Sequence, residues 1–528
     1  MRVLLALLAV AVVASGCLST PHKPAVGPLP LGAGGDCLGS VGGIDLQGAS
    51  IADLEAALAA GRITSVQLVE AYLARIAAFD DNHTGHKLNS VRHLNPDARA
   101  QAAGLDAERA AGHLRGPLHG IPVLLKDNVG TTDEPTTAGS IALAGNVPKS
   151  NATLTDRLTA AGAIILGKTN LSEFANWVAL GMPNGYSSLG GQVVNAYTFG
   201  DPSGSSSGSG VAGSMAFAAA AIGTETSGSI LGPSDANSLV GVKPTTGLVS
   251  RAGVIPLAAN FDTPGPMARS VRDAAAVLGA IAGTDPRDAL TAPASGHLPP
   301  GGDYTAGLRA DALKGVKLGY DPNDQGATFN AEMDALKAAG ATLVPIDRNG
   351  ADQVSVTELA FIFNEFKAGI NGYLATEAGP GLPVSDLTGI VAYNQQHQDR
   401  IPYGQDLLVA SDAQPGDPVS AQYAATATIV SARATADRLF SGVDAIVGPS
   451  LSYVSLGAAA GYPTVIVPAG YTRGEPHGLS FFGPAWSEPK LLAYAYAYEN
   501  ATRLRQPPTA VNAKLMDDVM AACATRTR

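Results

Sequence analysis

Two loops rich in glycine and serine, and one lysine in an apolar segment, carry the residue types best suited to chemistry in this chain. The loops read SGSSSGSG over residues 203–210 and GTETSGSI over residues 223–230, and Lys126 ends the apolar segment IPVLLK at residues 121–126. A serine hydroxyl is a weak nucleophile that needs an adjacent base. A lysine can serve as that base when it is neutral, and apolar surroundings lower its pKa. Nucleophilic catalysis is possible if the fold brings these segments together.

The elements that must position these residues alternate between helices and short apolar strands, which favours an α/β fold in a single domain. Residues 64–79 show the stripe of an amphipathic helix, with Val66, Val69, Tyr72, Leu73 and Ile76 on one face. No linker interrupts residues 43–507. Further helices are predicted at residues 50–61, 95–111, 153–161, 211–221, 331–338 and 490–504. Strands are predicted at residues 121–125, 163–166, 240–242, 248–249, 316–319, 341–344, 445–447 and 463–468.

Composition favours a globular enzyme and argues against nucleic acid as a ligand. The 528 residues are 46% hydrophobic and 15% charged, which suits a large core. The net charge is −11, from 34 basic and 45 acidic residues, and no lysine-arginine cluster is present. No His/Cys/Asp cluster has the spacing of metal ligands, so neither a metal nor another cofactor is predicted.

The first 17 residues are typical of a targeting segment. Arg2 precedes the apolar run at residues 3–13, which is too short to span a bilayer and is followed by ASGC at residues 14–17. The small residues before Cys17 resemble a bacterial lipobox, so Cys17 is a candidate for lipidation, and simple cleavage of the signal is the alternative. We therefore expect an exported protein, either secreted or an envelope lipoprotein whose only membrane contact is the lipid.

The remaining cysteines lie near the two ends of the mature chain. In an oxidising compartment Cys37 and Cys523 can form a disulfide, and two unrelated thiols are the alternative. The predicted organisation is a signal peptide at residues 1–17 and a tether rich in Pro and Gly at residues 18–44. A catalytic domain at residues 45–508 and a C-terminal tail at residues 509–528 follow.

Two motif matches suggest nucleotide binding, but neither has the required context. Residues 162–169, GAIILGKT, fit the phosphate-binding pattern GxxxxGK[ST], yet their four middle residues are a predicted strand whose amides are committed to a sheet. Residues 208–213 fit GxGxxG, but no apolar strand precedes them and no acidic residue follows at the distance needed for a ribose. Nucleotide chemistry is therefore not expected.

A third match suggests a rival enzyme class. Residues 204–208 fit the nucleophile elbow GxSxG with Ser206 at its centre, as in an α/β-hydrolase esterase. An elbow requires a preceding strand, whereas residues 199–203 are turn-like. It also requires a histidine, and His397 and His477 are available without a convincing context. This alternative stays open at the level of sequence.

The three segments together, with landmarks such as residues 262–269 and 478–483, resemble the amidase signature family from about residue 50 to residue 503. The resemblance implies a large mixed sheet sandwiched between helices and an amide-hydrolysing Ser-Ser-Lys triad without histidine. Lys126 aligns with the base, Ser205 with the relay and Ser229 with the nucleophile. In the family the relay serine follows a cis peptide bond.

The resemblance also implies the supporting residues of the site. The oxyanion hole, which binds the substrate carbonyl oxygen, corresponds to the backbone N–H groups of Thr226, Ser227, Gly228 and Ser229. Two further side chains are expected to support the site without reacting. They are Ser206, beside the relay, and Glu225, where the family usually has Asp.

Departures from the family's common pattern resemble its peptide amidase branch, which deamidates peptide C-termini. Ser207, Ser209 and Ser227 replace glycines, and Leu231 stands where many members have Arg. We expect a small-molecule or peptide amide as substrate, most specifically a peptide C-terminal amide. A catalytically inactive envelope-binding protein on the same fold is the non-enzyme alternative. The sequence predicts no oligomeric state.

Overall fold

A computed structural model describes residues 37–80, 85–324, 326–351 and 354–526. Residues 1–36, which include Cys17 and most of the predicted tether, lie outside this part of the chain. The strands within it are β1 (Ser40–Val41), β2 (Ile44–Asp45), β3 (Val91–Leu94), β4 (Pro122–Lys126), β5 (Ile164–Thr169), β6 (Tyr186–Ser187), β7 (Gly191–Gln192), β8 (Ala220–Glu225), β9 (Val240–Lys243), β10 (Thr263–Ala268), β11 (Lys317–Tyr320), β12 (Thr342–Pro345), β13 (Ala445–Pro449), β14 (Thr464–Thr472) and β15 (Glu475–Phe482).

The helices of the described residues flank these strands. They are α1 (Ile51–Ala59), α2 (Ser65–Phe79), α3 (Ala98–Ala110), α4 (Thr153–Ala160), α5 (Ser207–Ser214), α6 (Leu231–Ala236), α7 (Val271–Ile281), α8 (Ala327–Ala338), α9 (Val354–Thr376), α10 (Leu387–Gln396), α11 (Asp406–Asp412), α12 (Pro418–Leu439), α13 (Val454–Ala460), α14 (Glu488–Thr502), α15 (Pro508–Val511) and α16 (Ala513–Arg526). No helix of the described part is long and apolar enough to cross a membrane.

One continuous mixed sheet organises the molecule, in agreement with the predicted single α/β domain. Its eleven strands run in the order β12-β11-β13-β15-β14-β9-β10-β8-β4-β5-β3. Strand β4 is parallel to both β5 and β8, whereas β10 is antiparallel to β8 and β9. Two large clusters of buried apolar side chains pack around the sheet.

The position of β4 explains why Lys126 lies inside the protein. All five residues of β4 are buried, as expected for a strand between two parallel neighbours. Leu125 pairs with Ile222 of β8, so β4 and β8 end at the same edge of the sheet. Lys126 and the segment that follows β8 therefore meet at that edge.

Ser50 and Thr64 are the N-caps of α1 and α2, and each forms a capping box with the residue three positions later. The prediction of a helix over residues 211–221 is wrong at its C-terminal end. The helix α5 ends at Ser214, and Ala220 and Ala221 begin β8. Alanine favours helices, but its small side chain also fits a fully buried sheet, and packing overrides propensity here.

The helix predicted at residues 490–504 corresponds to α14 but is not the last one. Two more helices, α15 and α16, follow it. The last of them, α16, packs against α2 near the start of the fold. The structure joins Cys523 of α16 to Cys37 by a disulfide, with the two Cα atoms 5.8 Å apart. The disulfide thereby attaches the segment before β1 to the C-terminal helix.

The disulfide gives a testable expectation about the thiol content. Thiol titration of protein unfolded without reductant should detect neither Cys37 nor Cys523. Closing a loop of this length constrains the unfolded chain, so Cys37→Ser should lower the free energy of unfolding by up to about 5 kcal/mol. Two reactive thiols at these positions would refute the pairing, and reduced wild-type protein is the control.

Candidate active site

Lys126 is completely buried and is held by three polar contacts. Its Nζ lies 2.8 Å from Ser205 Oγ, 3.1 Å from the carbonyl oxygen of Thr224 and 3.0 Å from Thr224 Oγ1. Complete burial lowers the pKa of Lys126 to about 7, against the opposing effect of the Asp262 and Glu225 charges. A desolvated ammonium is costly, so burial favours the neutral amine. Lys126 is therefore available as a base near neutral pH.

Ser205 lies at the start of α5, in a backbone with little free space. The Gly204–Ser205 peptide bond is cis, as the family resemblance implied. A Cβ on Gly204 would lie 2.7 Å from Asn184 Oδ1 and from Ser172 Oγ, so any larger residue here would have to displace these side chains. The backbone N–H of Ser172 donates to the carbonyl oxygen of Ser205 at 3.1 Å. These contacts fix the hydroxyl beside Lys126.

The helix α5 itself contains glycine and serine in place of good helix formers, and it is stabilised from its C-terminal end. Three arginines donate to carbonyl groups of residues 213–218, at the end of the helix and in the turn that follows it. Arg75 donates to two of these groups at 2.8 and 3.0 Å, Arg269 to two at 2.8 and 3.3 Å, and Arg505 to one at 3.2 Å. Cations at this end also complement the helix dipole.

Ser229 lies in the turn between β8 and α6, close to Ser205. The backbone N–H of Ser206 donates to the carbonyl oxygen of Ser229 at 3.2 Å, which places the two serine segments side by side. Ser229 is 6% exposed. Its Oγ makes no hydrogen bond to Ser205 Oγ in this structure. Catalytic hydrogen bonds in enzymes without substrate are often long and shorten only when substrate binds.

The segment at residues 226–229 has the backbone expected of an oxyanion hole. Gly228 has φ +81°, a left-handed conformation that favours glycine. Within the described residues, none of the four backbone N–H groups of Thr226, Ser227, Gly228 and Ser229 donates a hydrogen bond to protein. Unpaired donors next to a nucleophile can stabilise the negative oxygen of a tetrahedral intermediate.

Glu225 holds the turn that carries Ser229. Its Oε2 accepts hydrogen bonds from the backbone N–H groups of Ile230 at 2.7 Å and Leu231 at 2.9 Å. These are groups at the start of α6 that have no partner within the helix. Glu225 is thus a positioning residue, consistent with its expected supporting place.

Asp262 holds the other side of the same segment, and sequence reasoning had not assigned it a function. The Thr226 hydroxyl donates to its Oδ1 at 2.5 Å, and its Oδ2 accepts from the N–H groups of Leu257 and Ala258. Burial raises the pKa of Asp262, although these hydrogen bonds oppose the shift. Position 262 stood out in sequence only as part of a family landmark, with no local signal for this contact.

The structure does not assemble the alternative triad around Ser206. The Ser206 hydroxyl donates to the carbonyl oxygen of Thr224 at 3.1 Å and has no histidine partner. His397 Nδ1 pairs with the carbonyl oxygen of Tyr393, and His477 lies 3.6 Å from Glu332. No strand lies within residues 193–206, directly before α5. The elbow interpretation therefore lacks both its histidine and its strand.

A cavity of about 290 Å³ opens beside the ends of β4 and β8. Its lining includes Thr224 and Thr226 together with apolar residues such as Val254, Pro256 and Leu257. Of the arginines that line it, Arg251 is bonded to Asp288 and Arg287 to Glu377. The cavity thus combines apolar lining residues with two arginines that are already paired with carboxylates.

Comparison with known proteins assigns the family. The model of the family described as Amidase matches residues 67–453. A probable amidase of Arabidopsis thaliana is 39% identical over 485 residues, which cover 88% of this chain and 92% of that protein.

The chain belongs to the amidase family.

Solved structures extend the likeness to the whole fold. The native peptide amidase from Stenotrophomonas maltophilia shares 43% identity with this amidase at a TM-score of 0.81, covering 87% of this chain and 98% of that one. An amidase family protein from Bacillus anthracis shares 37% identity at a TM-score of 0.81, covering 88% of this chain and 92% of that one. The resemblance to the amidase signature family, with structural neighbours among peptide amidases, is confirmed, and the chain is an amide hydrolase rather than an inactive binding protein.

The motif at residues 162–169 has a structural place in this amidase. Residues 164–169 form β5, and the Lys168 Nζ donates to the Val129 carbonyl oxygen at 2.6 Å and to Thr136 Oγ1 at 2.7 Å. Lys168 thus holds the loop that follows Lys126.

The GxGxxG match lies inside α5. Among the described residues, no group of three or more His, Cys, Asp or Glu side chains could hold a metal ion.

Substitution of Glu225 should separate its carboxyl charge from its acceptor function. Glu225→Ala leaves two buried N–H groups unpaired and should lower the free energy of unfolding by about 3 kcal/mol. Glu225→Gln keeps one oxygen that can accept both hydrogen bonds, so its loss of stability should be much smaller. Urea unfolding of the two variants measures the difference, and equal destabilisation would contradict this account of Glu225.

Proposed function

We propose that this amidase hydrolyses carboxamides, most specifically the C-terminal amides of peptides, through an acyl-enzyme on Ser229. Ser205 relays protons and Lys126 is the base. The observation that carries the proposal is the fully buried Lys126 Nζ, 2.8 Å from Ser205 Oγ. A neutral amine at that distance can accept the hydroxyl proton of Ser205.

In the acylation half of the proposed reaction, Ser229 Oγ attacks the carboxamide carbon. Its proton passes to Ser205 Oγ while the Ser205 proton passes to Lys126 Nζ. The carbonyl oxygen becomes an oxyanion that the backbone N–H groups of residues 226–229 stabilise. When the intermediate collapses, the protons return through Ser205 to the leaving nitrogen. Ammonia departs and the acyl ester of Ser229 remains.

Deacylation repeats the sequence with water. Lys126, neutral again, takes a proton from Ser205 as Ser205 takes one from the attacking water. The second tetrahedral intermediate expels Ser229 Oγ, which regains a proton through the relay. The products are the carboxylic acid and free enzyme, and no redox partner is needed.

The choice of a peptide amide rests on the surroundings of the site. Leu231 is buried at the start of α6, so no guanidinium stands at this position to bind a substrate carboxylate. The lining arginines Arg251 and Arg287 are already paired. A free carboxylate would be desolvated without a partner, whereas an uncharged peptide carboxamide would not. The likeness to a peptide amidase supports the same choice.

We also propose that the amidase is exported and anchored by lipid on Cys17. The support is the N-terminal sequence pattern, together with a disulfide that suits an oxidising compartment. Mass analysis of the mature N-terminus from isolated membranes tests this proposal. A cytoplasmic protein that retains residues 1–17 would contradict it.

Substitutions should rank the site residues by function. Ser229→Ala should lower kcat by about 10⁴-fold or more, because the atom that carries the acyl group is lost. Lys126→Ala should lower it by about 10³-fold or more, and Ser205→Ala should lower kcat more than it raises KM. Ser206→Ala, the matched neighbour, should be milder. If Ser206→Ala were more severe than Ser205→Ala, the elbow interpretation would be favoured again.

The activity should depend on pH through the base. Below the pKa of about 7, Lys126 is protonated in the folded enzyme and cannot accept a proton. We therefore expect kcat to fall by about tenfold per pH unit as pH drops below that value and to level off above it. Stopped assays of ammonia release across pH 5–9 measure this, with circular dichroism to check the fold. A kcat that is constant from pH 5 to pH 9 would contradict a lysine base.

Selectivity should favour peptide amides over free amino-acid amides. We expect kcat/KM for a peptide amide to exceed that for glutamine or asparagine by at least about 100-fold, or roughly 2.7 kcal/mol of differential transition-state binding. Ammonia release from a panel of peptide amides, acylamides and glutamine measures the ratio. Equal or faster turnover of glutamine would exclude this substrate class while leaving the triad intact.

A further inference from the structure

Asn128 is the residue of the cavity wall whose hydrogen bonding is incomplete. It lies two positions after Lys126 and is 4% exposed. Its Oδ1 is buried and has no hydrogen-bond partner among the described residues. No other described side chain that lines the cavity carries such an atom. Buried polar atoms are nearly always paired, so an unpaired one in a cavity wall suggests a ligand.

The orientation of the Asn128 amide follows from its other contacts. Its Nδ2 lies 2.9 Å from Thr224 Oγ1 and 3.4 Å from the carbonyl oxygen of Ile255. The Ile255 carbonyl can only accept a hydrogen bond, so it selects the orientation in which the NH₂ group faces the protein. The free atom of Asn128 is therefore an acceptor, which requires a donor from the substrate.

The position of the cavity relative to Lys126 indicates which part of a substrate would enter it. Lys126 Nζ contacts both Ser205 Oγ and Thr224 Oγ1, but only Thr224 lines the cavity. In the proposed mechanism the leaving nitrogen takes its proton from Ser205 and therefore lies on the Ser205 side. The acyl portion extends over Thr224 and Thr226 into the cavity, past Asn128.

We propose that Asn128 Oδ1 accepts a hydrogen bond from the backbone N–H of the substrate residue that carries the scissile carboxamide. The proposal rests on the proposed peptide amide hydrolysis and names the part of the substrate that is recognised. An acyl group without that N–H leaves the acceptor buried and unpaired. Asn128 thus selects peptide and N-acylamino acid amides over simple acylamides.

A pair of substrates that differ in one atom group tests this. The first is the amide of benzyloxycarbonyl-Gly-Ala, and the second is the analogue with lactamide in place of alaninamide, where an ester oxygen replaces the N–H. Ammonia release reports cleavage of the carboxamide in both. We expect the wild-type enzyme to prefer the first substrate by about 30-fold in kcat/KM, which is the fold-change expected when one hydrogen bond to a buried acceptor is lost. Equal kcat/KM values in the wild type would overturn the proposal without any variant.

Asn128→Leu, of similar size, supplies the second measurement. It should raise KM for the alaninamide more than for the lactamide and so abolish the preference. Because Asn128 Nδ2 also donates to Thr224 Oγ1, a loss common to both substrates is expected as well, and the ratio of the two kcat/KM values is therefore the readout. Equal losses with both substrates would overturn the proposal in favour of a structural effect through Thr224. A preference that survives Asn128→Leu would overturn it as well.

The proposed function fails differently from this inference. If the wild-type enzyme released ammonia from neither peptide substrate but hydrolysed other amides, the substrate class would be wrong and the inference would fall with it. If it hydrolysed both substrates equally well through Ser229, only the assignment of Asn128 would be wrong.

Discussion

The desolvation of the Lys126 amine is the physical constraint on which the site depends. In water a lysine is almost fully protonated at neutral pH and cannot act as a base. Burial at the end of β4, between two parallel strands, lowers its pKa to about 7. The opposing charges of Asp262 and Glu225 limit this shift, and hydrogen bonds from the Thr226 hydroxyl and the Ile230 N–H fix the two carboxyl groups in place. A base of intermediate pKa results.

Ser205 contacts this base and the Ser229 segment lies beside it, because the surrounding backbone leaves both serines little freedom. Arginines from three separate parts of the chain satisfy the carbonyl groups after α5, and this compensates for the weak helix propensity of its glycines and serines. Glu225 performs the corresponding task for the N–H groups at the start of α6. The turns that carry Ser205 and Ser229 are thus each anchored through the helix that follows, and the cavity lies beside the ends of β4 and β8.

The sequence was sufficient to predict the α/β fold and to place the candidate residues, because short-range patterns and family motifs carry that information. It failed where tertiary contacts decide. The stretch at residues 211–221 is rich in small residues that suit a helix, yet its end joins the buried strand β8. Asn128 and Asp262 gave no local signal, since their partners lie 96 and 36 residues away. Such contacts arise only from the folded arrangement.

The central claim is that Ser229 is activated by a buried neutral lysine without histidine. Its most direct test is to label the enzyme with a fluorophosphonate at a series of pH values and to map the modified peptide by mass spectrometry. We predict label on Ser229, with a labelling rate that rises as pH increases through about 7 and that Lys126→Ala nearly abolishes. Label on Ser206, or labelling of Ser229 that proceeds equally fast in Lys126→Ala, would contradict the account.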